Sequence, residues 1–477
     1  MKKSKLFKFF GICFCVMQIF IFATSCEKET VTVTPGGGEE NHGSNIPATT
    51  LLANQFVYEY TTDGYLWNKY IPSNINYKNE TDTKAMFDKM VYRDYDRWSY
   101  VSDDAKSELD GFAGVYTTFG YALWVVRFSN EGDGLFAVVK YVVDNSPAKE
   151  AGLKRGDIIL TIDDENITTE NYLNLFYSSN IKLGLGKISN NEIGLNGVTV
   201  NLVAKEMYED PVLHYSVIDK GAKKIGYLAY AGFYKESHDK LVKIFTDFKS
   251  KGVNELVLDF RYNPGGNAVT PPFLGSLIAP EKNVRNKDIF LKEIWNDGYM
   301  NYFKGKNEDL NDYFNSDIPV NLNLNRIFVL TTDGTASASE ATICGLMPYM
   351  DVIKIGTTTH GKYCGAGLFQ PKDNNGKLVQ GIDNWLLSLV IYKFANANDY
   401  TDFKDGIAPD YEIEDNFVEN IYPFGDVKDA HLSKAISIIM GTKSTWTQNK
   451  SNSMDKYKQI SIPDKIQNRG GHVKLMD

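Results

Sequence analysis

Cysteine is scarce in this sequence, with 5 in 477 residues. Three of them, Cys13, Cys15 and Cys26, lie near the N-terminus, so the body of the chain holds only Cys344 and Cys364. Two cysteines do not make a disulfide framework. They could pair in an oxidising compartment or stay as small buried side chains, and the sequence leaves both open. Long basic runs are missing too. A net charge of -9, with acids and bases interspersed, argues against nucleic acid as a partner. No internal repeat of solenoid length is present. What remains is ordinary for a globular protein, 43% hydrophobic and 23% charged residues, over a length that predicts roughly two to four domains.

The N-terminus carries more information. Lys2, Lys3, Lys5 and Lys8 precede an apolar run from Phe9 to Phe22, which ends in Ala23-Thr24-Ser25-Cys26. That is the layout of a secretory signal, residues 1–25, and the run is short for a membrane-spanning helix. Small residues immediately before a cysteine resemble the lipobox of bacterial lipoproteins. The resemblance implies that Cys26 is lipidated and that the chain is exported to the cell envelope and anchored to a membrane through its N-terminal lipid. Lys28 is not the aspartate associated with inner-membrane retention, which favours the outer membrane, on its periplasmic face or at the cell surface. Residues 26–47 then form a polar, Gly-rich tether that cannot build a core.

Beyond the tether the pattern changes twice, predicting a multidomain α/β chain. Residues 48–112 show helical spacing, with Phe56, Tyr60, Leu66, Trp67 and Tyr70 in one segment and Met86, Phe87, Met90, Tyr92 and Trp98 in the next. They read as a small helical N-terminal domain whose aromatics are core. Residues 113–206 are β-rich, with segments such as Leu135 to Val143 and Val198 to Ala204. Residues 207–442 alternate apolar strands with helices, an α/β pattern. The stretch from about 280 to 320 is charged and aromatic and reads as an insertion over a site, and residues 443–477 form a polar extension.

In the β-rich segment, Ser146-Pro147-Ala148 leads through Ala151-Gly152-Leu153 to Gly156-Asp157-Ile158-Ile159. This predicts a short helix after Ser-Pro, a Gly stop and a turn into an apolar strand. The string resembles a PDZ domain. Such domains hold a peptide's C-terminal carboxylate on backbone N–H groups while the peptide adds a strand to the sheet edge. Phe119, Gly120 and Tyr121 form the candidate peptide-binding loop, although it departs from the usual Gly-hydrophobic-Gly-hydrophobic form.

Three elements of the α/β region could carry chemistry. An apolar strand runs into Arg261-Tyr262-Asn263-Pro264-Gly265-Gly266, a turn whose backbone N–H groups can face a ligand. Ser337, in Ala336-Ser337-Ala338-Ser339-Glu340, follows a strand and opens a helix. With Glu340 three residues on, it fits an ordinary capping box, while the same helix N-terminus could stabilise a developing oxyanion. Lys362 follows Gly361 in a Thr- and Gly-rich loop. A loop lysine is normally solvated, and acting as a base requires burial that lowers its pKa by several units.

Taken in order behind a PDZ-like segment, and with Ser337 and Lys362 separated by 25 positions, these elements resemble the carboxyl-terminal processing peptidases, or tail-specific proteases. The resemblance spans nearly all of residues 48–412, including Gly406-Ile407-Ala408-Pro409-Asp410. It implies an α/β protease core of the crotonase/ClpP-related type with a serine-lysine dyad. Carried over, Ser337 is the nucleophile, Lys362 the general base, and Gly266 and Ala338 supply the oxyanion hole. The reaction it implies is endopeptidase cleavage near the C-terminus of protein or peptide substrates with accessible C-termini, through an acyl-enzyme and without metal or other cofactor. Many members orient the lysine with a glutamine four residues on. Here Ala366 stands at that position, and Gln370 is the nearest substitute. Pro348 stands where some members have an acidic residue.

Two other readings compete. A Ser-His-Asp hydrolase could use His360, but no Gly-x-Ser-x-Gly elbow surrounds Ser337, so His360 reads as a loop or site-rim residue. A lipid-anchored peptide-binding protein that kept the fold and lost catalysis is the reading from a different class.

Overall fold

The computed structural model describes residues 46–128, 132–189, 192–442 and 457–460, together with the backbone of 473–475. The signal, Cys26 and nearly all of the tether lie outside the described residues.

The chain opens with the helix Ala48–Gly64, followed by Thr83–Met90 and Ala105–Phe112. The later two begin at aspartates. Asp82 accepts from the N–H groups of Lys84 and Ala85 at 2.9 and 3.0 Å, and Asp104 accepts from that of Ser107 at 3.2 Å. Each aspartate thereby satisfies donors that a helix start leaves without partners. The apolar faces of these helices do not enclose a core of their own. Ala53, Phe56, Met86 and Phe87 join one cluster with Leu274, Ile343 and Leu386 of the α/β region. Between the helices, the strand Tyr100–Ser102 pairs antiparallel with Leu386–Ala395, which fixes this segment to the larger body.

The PDZ-like segment has its own core, built on Leu123, Val125, Ala137, Ile159 and Leu183. Its sheet runs in the order Tyr121–Phe128, Leu135–Val142, Ile158–Ile162, Asn180–Ser189 and Glu192–Val203. The helix Pro147–Glu150 starts as the sequence predicts, with Ser146 Oγ accepting from Lys149 N–H at 3.2 Å and Pro147 at the first helical position. Gly156, at φ +89°, makes the turn into Ile158–Ile162.

Two sheets make up the α/β region. The first has the order Val212–Lys220, Lys223–Tyr230, Glu255–Asp259, Arg326–Thr331, Asp351–Gly356 and Tyr411–Glu412, parallel after the opening hairpin. The second joins Asn311–Tyr313, Ile289–Trp295, Leu386–Ala395 and Cys364–Phe369, with antiparallel neighbours. The helix Ala338–Leu346 packs against strands of both sheets, and every one of its residues is buried. It lies between the layers, with the N-terminal end facing the site.

The stretch from about 280 to 320 differs from the insertion expected of it, because Ile289–Trp295 and Asn311–Tyr313 are strands of the second sheet. Burial of Phe290 explains the difference. Its ring fills space left by Gly275 and Gly345, where an added Cβ would meet it at 2.5 and 2.6 Å. Most of the charged residues in this segment are exposed, and their number hides a core strand. The C-terminal extension also contributes strands. Tyr457–Gln459 pairs with Tyr121–Phe128, and Val473–Leu475 pairs with Cys364–Phe369.

Candidate active site

The turn after Glu255–Asp259 is held from inside. Arg261 is fully buried, and its guanidinium donates to Asp259 at 2.9 and 2.6 Å and to Asp429 at 2.9 Å. Asn263, also fully buried, donates to Tyr230 O at 2.8 Å and accepts from Gly265 N–H at 2.9 Å. Its carbonyl accepts from Ala336 N–H at 3.1 Å and from Ser339 Oγ at 3.0 Å. The Asn-Pro-Gly-Gly turn and the Ser337 segment are therefore fastened together. Gly265, at φ +106°, lies so close that an added Cβ would sit 2.8 Å from Ser337 Cβ and 2.9 Å from Ala338 N.

Ser337 caps the helix Ala338–Leu346 with φ +53° and ψ -110°, a conformation that a non-glycine residue adopts only when its surroundings impose it. The imposing group is Glu340. Its carboxylate accepts from Ser337 N–H at 2.8 Å, the backward half of the capping box. It also accepts from Lys362 N–H at 2.8 Å, Gly361 N–H at 2.7 Å and Thr359 Oγ1 at 2.6 Å. Burial pushes the Glu340 carboxyl up to about 7, against these four donors, which favour the anion. One carboxylate thus joins the serine turn to the lysine loop.

Lys362 is 1% exposed. Burial lowers its ammonium to about 7, with the neighbouring Cys364, Asp96 and Glu340 pulling the other way. The indole of Trp98 lies with its centroid 5.9 Å from Nζ and helps to exclude water. Asp96, itself fully buried, accepts from the N–H groups of Trp98 and Ser99 at 2.8 and 2.9 Å. These N-terminal residues were read from the sequence only as part of a helical segment. Nothing in their local pattern signals that they cover a lysine more than 260 positions away.

A cavity opens beside Ser337, lined by Gly266, Ala338, Ala341, Leu291, Tyr392 and Phe394, with Cys364, Gly365 and Ala366 on another wall. Its walls are mostly apolar, and Asp312 is the one charged residue among those that line it. Ala338 is the first helical residue, so its N–H has no partner within the helix. Gly266, at φ +145°, packs its Cα against Phe233, whose carbonyl would lie 2.4 Å from an added Cβ. Ser337, Gly266 and Ala338 line this one cavity, and Lys362 is tied to the same turn through its backbone N–H, which shares Glu340 with that of Ser337.

Gln370 does not join them. The chain leaves Lys362 along the strand Cys364–Phe369, and Gln370 follows its far end. Strand geometry separates the two by on the order of 20 Å, beyond any side chain's reach. His360 is half-buried, with its ring 6.4 Å from that of Trp98 and its N–H donating to Thr335 O at 2.9 Å. Burial and the positive charges of Arg97 and Lys362 lower its pKa. Cys344 and Cys364 are both free and buried. In the PDZ-like segment Phe119, Gly120 and Tyr121 form a buried turn, where Gly120 N–H donates to Thr118 Oγ1 at 2.9 Å.

Known proteins resemble this chain segment by segment. A family model described as peptidase family S41 matches residues 224–413, one described as the peptidase S41 N-terminal domain matches 53–100, and one for the PDZ domain matches 138–180. Residues 224–413 therefore form an S41 peptidase domain, behind an S41 N-terminal domain and a PDZ domain. The S41 N-terminal match contains Asp96 and Trp98, and the S41 peptidase match contains Ser337, Glu340 and Lys362. The chain is 25% identical over 248 residues to a carboxyl-terminal-processing protease of Picosynechococcus sp., covering 49% of this chain and 52% of that one. It is 24% identical over 307 residues to the protein of the same name from Synechocystis sp., covering 62% and 63%. It therefore spans between half and two thirds of these curated relatives. A candidate S41 protease of Bacteroides fragilis NCTC 9343, known from a crystal structure, aligns with a TM-score of 0.68 at 27% identity, over 81% of this chain and 97% of that one.

Proposed function

We propose that this chain is a serine endopeptidase that cleaves protein or peptide substrates near their C-termini through Ser337 and Lys362. The observation that carries the reading is the burial of Lys362, which lowers its ammonium to about 7 on a loop joined by Glu340 to the Ser337 turn. A lysine neutral near physiological pH can act as a base, whereas a solvated one cannot.

In this mechanism Ser337 Oγ attacks the scissile carbonyl carbon as neutral Lys362 Nζ takes its proton. The N–H groups of Ala338 and Gly266 hold the negative oxygen of the tetrahedral intermediate. Lys362 then returns the proton to the leaving amine, and the C–N bond breaks to leave an acyl-Ser337 ester. Water, deprotonated by Lys362, attacks the ester, and Ser337 recovers its proton as the acid product leaves. The test is turnover of an unstructured protein with an apolar C-terminus by wild type, Ser337→Ala and Lys362→Ala. Cleavage by wild type alone supports the reading. Equal inertness of all three overturns it in favour of a peptide-binding protein.

The sequence before the described residues supports an anchor in the cell envelope, with lipid on Cys26 and the outer membrane as its place. Cys26→Ala is expected to move the protein from the membrane to the soluble fraction. Retention of that variant at the wild-type level would overturn the anchor.

A further inference from the structure

The C-terminal extension sits on two sheet edges. Tyr457–Gln459 runs antiparallel to Tyr121–Phe128, with Tyr457 opposite Phe128 and Gln459 opposite Val126. Ile460 continues the pairing, its N–H donating to Val125 O at 3.0 Å, and its side chain packs on the PDZ-like core. The Tyr457 ring meets that of Phe136 edge-on at 5.4 Å. A sheet edge accepts an added peptide strand through backbone hydrogen bonds, so this is a peptide's position. Direction matters as well. Running antiparallel, the segment advances from Phe128 toward the Phe119-Gly120-Tyr121 turn, as must any peptide whose C-terminus points at that turn.

The second edge belongs to the site. Val473–Leu475 lies parallel to Cys364–Phe369, with Val473 opposite Ala366 and Leu475 opposite Leu368. That strand starts two residues after Lys362, and Cys364, Gly365 and Ala366 also line the cavity beside Ser337. In a parallel register the added strand's C-terminal end points away from Ser337. A substrate bound the same way would present the bond just upstream of its paired residues and release its C-terminal piece.

We infer that the C-terminal extension is a built-in occupant of both peptide-binding edges, and that substrates with extended C-terminal segments bind by displacing it. The inference rests on the peptidase reading for what the displaced strand gives way to, and on the two strand pairings for the occupancy itself. Tethering gives such a segment a high effective concentration, so free peptide competes poorly until the tethered strand is broken.

The experiment measures binding of a fluorescent peptide of residues 457–477 to the full chain carrying Ser337→Ala, by anisotropy. Ile460→Pro removes the donor to Val125, and the pair Val473→Pro and Lys474→Pro removes the pairing N–H in either parity. Deletion of residues 473–477 provides a second route to an open edge without proline. The peptide is expected to bind about tenfold more tightly to each opened variant than to the parent, as loss of a tethered competitor requires. Equal affinity for parent and opened variants, or no binding to any, overturns the inference. Because binding is read without Ser337, its outcome is independent of the wild-type turnover assay, whose failure would instead sink the peptidase reading.

Discussion

Ser337 and Lys362 present their backbone N–H groups to the same oxygen, Oε2 of Glu340, each at 2.8 Å. Residues 338–361 between them hold a buried helix and the strand Asp351–Gly356, yet both ends return to one atom. The separation is set by that return. Shortening or lengthening the path would pull one N–H off the carboxylate and change where the nucleophile or the base sits.

Glu340→Gln is therefore expected to harm both fold and activity. Four donors surround a group that, as an amide, offers one acceptor oxygen and an NH2 that faces other donors. Leaving buried donors unsatisfied predicts a loss of about 2–4 kcal/mol, read from the urea midpoint at constant slope. Misplacement of Ser337 against Lys362 predicts about a 10²-fold fall in kcat in the fraction that folds. A folded variant with wild-type kcat would mean that Glu340 is only a helix cap.

The pH dependence follows from Lys362. In the unfolded chain lysine keeps its proton up to about 10.5, while in the fold burial releases it above about 7. Between these values the unfolded state binds more protons, so this group makes stability rise with pH from about 7 to about 10.5. Below 7 both states are protonated and the full cost of a buried charge remains. Lys362→Met removes that cost, so the variant is expected to be more stable than wild type below pH 7, by on the order of 4 kcal/mol. The difference should shrink toward pH 10.5. Activity has the same origin, with kcat/KM climbing to a plateau above about pH 7, while Lys362→Arg stays inactive throughout. Denaturation at stepped pH checks the first, and pre-steady-state acylation the second.

Gly265 sets the distance between the two loops. At φ +106° an alanine is strained, and its Cβ would press on Ser337 Cβ at 2.8 Å and on Ala338 N at 2.9 Å. Gly265→Ala is expected to cost about 1–3 kcal/mol from backbone strain. It should also lower kcat at least tenfold with little change in KM, because the crowded groups are the nucleophile and an oxyanion donor. Loss confined to KM would place Gly265 in substrate binding instead.

Much of this was legible because it is local. The Ser-Pro helix start, the strand from Glu255, and the helix after Ser337 are each written in a few consecutive residues, whereas the roles read for Ser337, Lys362, Gly266 and Ala338 came from the order and spacing of motifs that resemble a family. The parts that were missed depend on pairing between distant segments. Asp96 and Trp98 reach Lys362 because Tyr100–Ser102 pairs with Leu386–Ala395, and no periodicity in either segment encodes that partnership. The Glu340 capping box was visible, but its second role was not, since the three donors besides Ser337 N–H come from the loop 359–362. Gln370 was chosen by proximity in sequence, which a strand converts into distance. Charge along residues 280–320 masked a buried strand whose core residue, Phe290, needs two distant glycines to fit.

The cavity beside Ser337 makes a prediction about specificity. Ala341 lies one helical turn beyond Ser337 and shares the wall with Leu291, Tyr392 and Phe394, so the space between them is apolar and its size depends on a methyl group. An apolar substrate side chain filling that space gains about 0.8 kcal/mol per buried methylene, which favours apolar residues beside the cleaved bond. Ala341→Leu adds bulk where the nucleophile's own helix faces the cavity. It is expected to reduce kcat/KM for peptides with a large apolar residue at the cut by roughly 10–200-fold, the range that a misfitted methylene or two can impose. Peptides with alanine at the cut should be affected far less, because their side chain does not reach the added group. Measuring kcat/KM for a matched pair of peptides, alanine against leucine, separates this from a general folding defect, which would lower both equally. An unchanged ratio would mean that the substrate side chain is seated elsewhere, and the cavity beside Ser337 would lose its claim to select what is cut.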